Sequence, residues 1–241
     1  MRNVVFLHAV KSPNMLQFFS KYKHLFITLI ILSTIIISLM YQALKPEEKL
    51  AVYEPSMVQP ELVDESIQYI RKDHKIADFK LINQNGDTIT QENYKNKIYV
   101  ADFFFTTCLS ICPMMTDNMV RIQEEIKNNP DVMLLSHTVT PLIDTVEQLK
   151  KYAQEKGVMD HKWNLVTGDK KQIYELARKS YLAVKTTGDG GPFDMIHTEN
   201  FILVDKDKQI RGFYDGTNPD EIDKLLHDIE ILQKHYKKPK S

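Results

Sequence analysis

The stretch Phe103-Phe104-Phe105-Thr106-Thr107-Cys108-Leu109-Ser110-Ile111-Cys112-Pro113 decides how this chain is read, and it holds both of its cysteines. Before it stands Ile98-Tyr99-Val100-Ala101-Asp102, β-branched and aromatic with one charge, the composition of a buried strand. After it, Met115, Met119, Ile122 and Ile126 recur at helical spacing within residues 114–128. Pro113 suits the first turn of that helix, where a missing N–H costs nothing. The thiols therefore lie at a strand-to-helix turn, near a helix N-terminus whose partial positive charge favours thiolate over thiol. Residues four apart on a helix share a face, so the spacing predicts two sulfurs pointing the same way, with Cα atoms roughly 6 Å apart. Such a pair closes as a disulfide or opens to hold one metal ion; the plain alternative is two small buried hydrophobes.

Working outward, residues 78–82 and 88–90 alternate as strands around an Asn85-Gly86 hairpin turn. Downstream, residues 132–139 read as a strand. Residues 144–156 read as a helix, capped by Asp144 with Glu147 completing a capping box and stopped at Gly157. A short strand at 162–166 precedes a helix over 169–179, capped by Asp169. The loop 186–192 contains Gly-Asp-Gly-Gly without a following Lys-Ser or Lys-Thr, so it is no phosphate loop. It is read as a movable flap that carries His197 towards the thiols. Strands at 200–204 and 209–214 and a helix over 219–235 close the chain. This order makes an α/β protein with helices on both faces of a mixed sheet: a thioredoxin-like fold with an N-terminal β-hairpin extension.

Residues 1–24 carry Arg2, Lys11, Lys21 and Lys23 and no acid, and residues 25–44 run without a charge. Twenty such residues span about 30 Å as a helix, the hydrocarbon thickness of a bilayer. A cleaved signal peptide would have a shorter apolar region ending in small residues, which Ser38-Leu39-Met40 and Tyr41-Gln42-Ala43 fit poorly. The expectation is an uncleaved single-pass transmembrane anchor, with a basic cytoplasmic N-terminus and the rest on the exported, periplasmic side. Residues 45–75, punctuated by Pro46, Pro55 and Pro60, read as a linker with a short helix over 61–72, and residues 76–241 as the folded domain. A net charge of −1 implies no nucleic-acid partner. Two cysteines in one motif are too few for a disulfide scaffold.

Residues 104–119, from Phe104 through Thr107-Cys108-Leu109-Ser110-Ile111-Cys112-Pro113 to Met119, closely resemble the signature of the Sco/SenC family. Asp144-Thr145 followed by Leu149-Lys150-Lys151-Tyr152-Ala153 resembles the family's Asp-Thr-x-x-x-Leu-x-x-Tyr segment, and His197 matches its ligand histidine. The likeness covers roughly residues 76–230. It implies a thioredoxin-like, membrane-anchored copper chaperone of cytochrome c oxidase assembly. The implied partners are the copper-bearing oxidase subunit, a copper donor protein and a thiol reductant. The family often has Asp-Pro where this chain has Thr140-Pro141.

On that resemblance the metal ligands are Cys108, Cys112 and His197, a soft, low-coordinate set suited to Cu(I) and able to accept Cu(II). His137 is the next candidate ligand; His161, His227 and His235 read as solvated. Met114, Met115, Met119 and Met195 flank the site, and core packing is the preferred role for them over thioether ligation. Asp102 is either a buried proton acceptor or, by slight preference, a carboxylate facing solvent at the strand end. The competing function is an enzyme, a thiol–disulfide oxidoreductase in which Cys108 and Cys112 are the redox-active pair. A peroxidase is a third and weaker reading.

Overall fold

A computed structural model of the chain describes residues 20–46, 48–184, 188, 191 and 194–237. Asp189, Gly190 and Pro192 of the expected flap lie outside the described residues, as do Arg2 and Lys11 of the basic N-terminus. The chain forms two units, residues 1–48 and 49–241.

In the first unit, α1 (Lys23–Leu44) carries a 20-residue stretch, Lys23–Gln42, long and apolar enough to cross a membrane. Its two threonine hydroxyls are bonded within it: Thr28 donates back to the Leu25 carbonyl and Thr34 to those of Ile30 and Ile31. Polar groups satisfied within the helix are what a hydrocarbon environment requires.

The second unit contains β1 (Lys80–Asn83), β2 (Thr88–Thr90), β3 (Ile98–Phe104), β4 (Val132–Thr138), β5 (Trp163–Thr167), β6 (Asn200–Val204) and β7 (Ile210–Asp215). They form one sheet in the order β2-β1-β5-β4-β3-β6-β7. Strands β3, β4 and β5 are parallel, β6 and β7 return antiparallel, and the β1–β2 hairpin extends the sheet at β5. All seven residues of β3 are buried, because the sheet is covered on both faces. Ile98, Val100 and Phe104 face a core shared with α2 (Cys112–Ile126), α3 (Val146–Lys156) and α5 (Pro219–Lys237). Tyr99, Ala101 and Phe103 face the other core, with Ile173, Tyr174, Leu176 and Ala177 of α4 (Lys170–Glu175) and the π-helical turn Leu176–Ser180 that continues it. The strands 88–90 and 200–204 fall where the sequence pattern places them, and the others shift by only a residue or two.

Residues 49–75 lie against this domain. The Tyr53 N–H donates to Ile210 of β7 at 2.8 Å, and its ring meets Phe213 edge-on at 5.4 Å. Val63 is fully buried, and Glu54 accepts from the His74 N–H at 3.0 Å. The helix expected over 61–72 is absent; Pro60–Leu62 makes only a short 3₁₀ turn.

Two buried titratable groups sit on opposite faces of β3 and β4. Asp102 does not face solvent: it is 3% exposed, and burial pushes its carboxyl up to about 7 against the help of a Ser136 hydrogen bond. His137 stacks on Phe103 at 4.9 Å and meets Phe79 and Tyr181 edge-on, so it is a core histidine; burial pulls it down to about 4. Between about pH 4 and 6.5 the unfolded chain binds His137's proton and the native protein does not, so His137 weakens folding as pH falls. Between about pH 4 and 7 the native protein holds Asp102's proton and the unfolded chain does not, so Asp102 weakens folding as pH rises. The slopes oppose each other. Melts followed by the single tryptophan, Trp163, should be nearly flat in wild type from pH 4.5 to 6.5. His137→Phe should lose stability as pH rises, and Asp102→Asn as it falls, each by up to about 3 kcal/mol.

Candidate metal centre

The cysteine turn begins where β3 ends. The Val139 N–H donates to the Phe104 carbonyl at 2.9 Å, and the Cys108 N–H donates to the Phe105 carbonyl at 3.3 Å. Cys112 is the first residue of α2, with Pro113 in its first turn. Only Cys112 is helical, so the thiols do not meet through helical spacing; the turn folds Cys108 back beside the helix N-terminus. Both thiols are free and buried, while Leu109 between them is 95% exposed.

The two sulfurs differ in acidity. Burial alone would raise the Cys108 thiol, but hydrogen bonds from the Cys112 and Ser110 side chains and backbones outweigh it and bring it down to about 7. Burial pushes Cys112 up to about 12, reinforced by its hydrogen bond to Cys108 and by the nearby charges of Cys108 and Asp102. The reduced pair therefore begins to lose its first proton, from Cys108, near neutral pH and keeps the second on Cys112.

Asp144 holds the turn in place. Sequence pattern makes it the cap of α3, but Thr145 takes that role, its side chain accepting from the Gln148 N–H at 3.3 Å. Asp144 is instead fully buried. Its carboxylate accepts from the Thr106 N–H at 3.2 Å, the Thr106 hydroxyl at 2.5 Å, the Thr140 hydroxyl at 3.0 Å and the Thr138 hydroxyl. Thr140, the residue that departs from the resemblance, thus supplies a donor where an aspartate would bring a second carboxylate against Asp144.

His197 is exposed, and its ring stands edge-on to Phe105 at 5.6 Å. Phe105 also packs against both hydrophobic cores and starts the cysteine turn, so the imidazole is in contact with the first side chain of that turn. Among the described residues no group of three or more His, Cys, Asp or Glu side chains is gathered as a metal cage. From Asp194 to Glu199 the side chains alternate: Ile196 and Thr198 are buried, Met195, His197 and Glu199 exposed. Met115 and Met119 are core residues, as expected, but Met114 and Met195 are 49% and 41% exposed beside the site rather than packed. His161, His227 and His235 are exposed.

The SCO1/SenC family model matches residues 67–233, more than half of the chain. The chain belongs to that family. The SCO1 protein homolog of Bacillus subtilis (strain 168) is 33% identical over 159 residues, 65% of this chain and 82% of that protein. The structure of BsSco, described as having a disulfide switch and as a member of the Sco family of cytochrome c oxidase assembly proteins, superposes with a TM-score of 0.56. It is 32% identical, covering 66% of this chain and 94% of that one. Arabidopsis thaliana ScoI with copper bound gives a TM-score of 0.52 at 27% identity, covering 64% and 97%. The mixed sheet of this SCO1/SenC protein is thus the thioredoxin-like fold of those structures, with the β1–β2 hairpin at its edge.

Sequence pattern did not reveal the Asp144 hub, because its donors, Thr106, Thr138 and Thr140, come from two separate segments. The signal available was three threonines around one aspartate. The acidity difference has a direct readout. Limited alkylation with iodoacetamide, followed by peptide mass spectrometry, should label Cys108 before Cys112 at pH 7, with a rate midpoint near pH 7. Ser110→Ala should move that midpoint upward. First labelling at Cys112 would contradict the assignment.

Proposed function

We propose that this chain is a membrane-anchored copper chaperone: Cys108, Cys112 and His197 hold copper on the exported side, and the ion is handed to the copper-bearing subunit of cytochrome c oxidase. The observation that carries this reading is the thiol pair at the N-terminus of α2 with His197 in ring contact with Phe105, where its turn begins, in a chain of the SCO1/SenC family. Two sulfurs suit Cu(I), and an added imidazole nitrogen makes Cu(II) acceptable as well. Metal binding requires deprotonated sulfurs. Cys108 already gives up its proton near pH 7, whereas Cys112, held up near pH 12, does so only as the metal enters. Copper loading therefore releases a proton from Cys112 and is favoured by rising pH.

Helix α1 supplies the membrane anchor in this reading, with the basic segment ahead of it on the cytoplasmic side and the domain in the periplasm. A copper donor protein loads the site. A thiol reductant keeps the pair open, since a disulfide between Cys108 and Cys112 leaves no thiolate for the metal. The copper-bound plant relative and the oxidase-assembly role described for BsSco support this assignment.

A second reading has its own observation: one low and one high thiol in the same pair. The Cys108 thiolate would attack a substrate disulfide, expelling one substrate thiolate and forming a mixed disulfide. Cys112, losing its proton, would then attack Cys108 sulfur, expel the second substrate thiolate and leave a Cys108–Cys112 disulfide; a thiol reductant resets it.

The purified full-length protein separates the two. One copper per chain and a sulfur-to-copper charge-transfer band are expected, both lost in Cys108→Ser and Cys112→Ser. His197→Ala should weaken copper by at least about tenfold. Deleting the gene should lower oxidase activity, with recovery on added copper. Disulfide turnover by the metal-free protein, with copper binding unchanged in His197→Ala, would favour the exchanger instead.

A further inference from the structure

The segment that carries His197 is fastened on both sides of it, with the densest set of bonds on Asp194, three positions before it. Asp194 is held by three side chains that follow one another at intervals of four along α4 and the π turn. Lys170 donates to the Asp194 carbonyl at 2.7 Å and also to that of Gly191 at 2.7 Å. The Tyr174 hydroxyl lies 3.0 Å from the Asp194 carbonyl oxygen. Arg178 makes a two-bond fork to the Asp194 carboxylate, at 2.7 and 2.8 Å, with both side chains only 7% exposed. The two cations also flank the ring: Lys170 and Arg178 lie 4.8 and 5.4 Å from the Tyr174 ring centre.

Tyr174 reaches in a second direction. Its hydroxyl is also 3.0 Å from the Val139 carbonyl oxygen at the end of β4, and the Val139 N–H donates to Phe104 at the end of β3. A continuous path thus runs from Asp194 through Tyr174 and Val139 to Phe104, four residues before Cys108. On the far side of His197, the Thr198 hydroxyl donates to the Ala183 carbonyl at 2.8 Å, and Ile196 is buried. With Asp194, Ile196 and Thr198 turned inward, His197 is turned outward by the two-residue alternation of extended chain. A bidentate Arg–carboxylate pair fixes direction as well as distance, which a single surface contact does not.

We propose that Lys170, Tyr174 and Arg178 are positioning residues that set where His197 stands relative to the thiol turn, and thereby set copper affinity. This rests on the reading of His197 as a copper ligand. None of the three need touch the metal. Their effect is to hold the imidazole close to its liganding position in the metal-free protein, so that binding does not have to order it. Groups that orient a metal ligand are typically worth about 10- to 100-fold in affinity.

The test is a double-mutant cycle on the full-length protein in detergent, with Cu(I) affinity measured by competition against a chromophoric chelator. Tyr174→Phe and Arg178→Met should each weaken copper by about 10- to 100-fold in the wild-type background and add nothing in the His197→Ala background. Arg178→Lys, which keeps the charge and loses the fork, should fall between. In the metal-free protein, amide exchange over 194–199 should quicken in these variants while that of β4 and β5 stays unchanged. Because Arg178→Met leaves a buried carboxylate unpaired, Tyr174→Phe, which keeps the ring, carries the test should the former fail to fold. Equal losses with and without His197 would overturn the proposal while leaving His197 as a ligand. Copper binding unaffected by His197→Ala would overturn the ligand reading and this proposal together.

Discussion

A buried carboxylate must be hydrogen-bonded or it costs several kcal/mol, and in this protein that requirement is met by the cysteine turn itself. Asp144 takes two of its bonds from Thr106, in the turn that follows β3, and the others from Thr138 and Thr140 at the end of β4. Because β3 and β4 are parallel neighbours, their ends lie side by side, and one side chain can serve both. The Gln148 amide, from α3, adds a further bond to the Thr106 hydroxyl at 3.1 Å. The backbone leading to Cys108 is therefore held by the combined needs of a carboxylate and a hydroxyl, none of which tolerates being left unpaired. That is why a turn containing no glycine, with an almost fully exposed leucine at its tip, can still present its sulfurs in one arrangement.

Behind the turn, the double-sided burial of β3 supplies the rigidity. One face packs on α2, α3 and α5, the other on α4 and the π turn, so the strand has little freedom to move. Phe105 belongs to both cores and also touches His197, which makes it the joint between the sheet interior and the exposed imidazole. The thiol acidities follow from the same placement. Cys112 is deeper and nearer Asp102, and keeps its proton; Cys108, bonded by Ser110 and by Cys112, gives its proton up.

Much of this was legible in the chain. The apolar run into the cysteines and Pro113 mark the strand-to-helix turn, and the apolar run over residues 201–204 after His197 marks a strand. Asp144 was misread for a physical reason: the local pattern Asp-Thr-Val-Glu suits a helix cap, and nothing local signals that distant threonines claim the aspartate instead. Asp102 was ambiguous because a single charge near a strand end looks the same from sequence whether its neighbours are water or Cys112. Residues 49–75 carry three prolines' worth of interruption nearby and no periodicity, so their packing through Tyr53, Glu54 and Val63 onto remote elements leaves no local trace. The pinning of Asp194 is the intermediate case. The four-residue spacing of Lys170, Tyr174 and Arg178 is visible, but what it grips lies well beyond the helix and is reached only in three dimensions.

The chain segment that crosses β7 at Tyr53 has one more consequence. A sheet ends in rows of unpaired amides and carbonyls that invite a neighbouring molecule to add a strand. Here one border is β2, only three residues long, and the other is met by Tyr53 through its bond to Ile210 and its ring against Phe213. A blunted border at each end of the sheet keeps chance encounters between copies from becoming shared sheets.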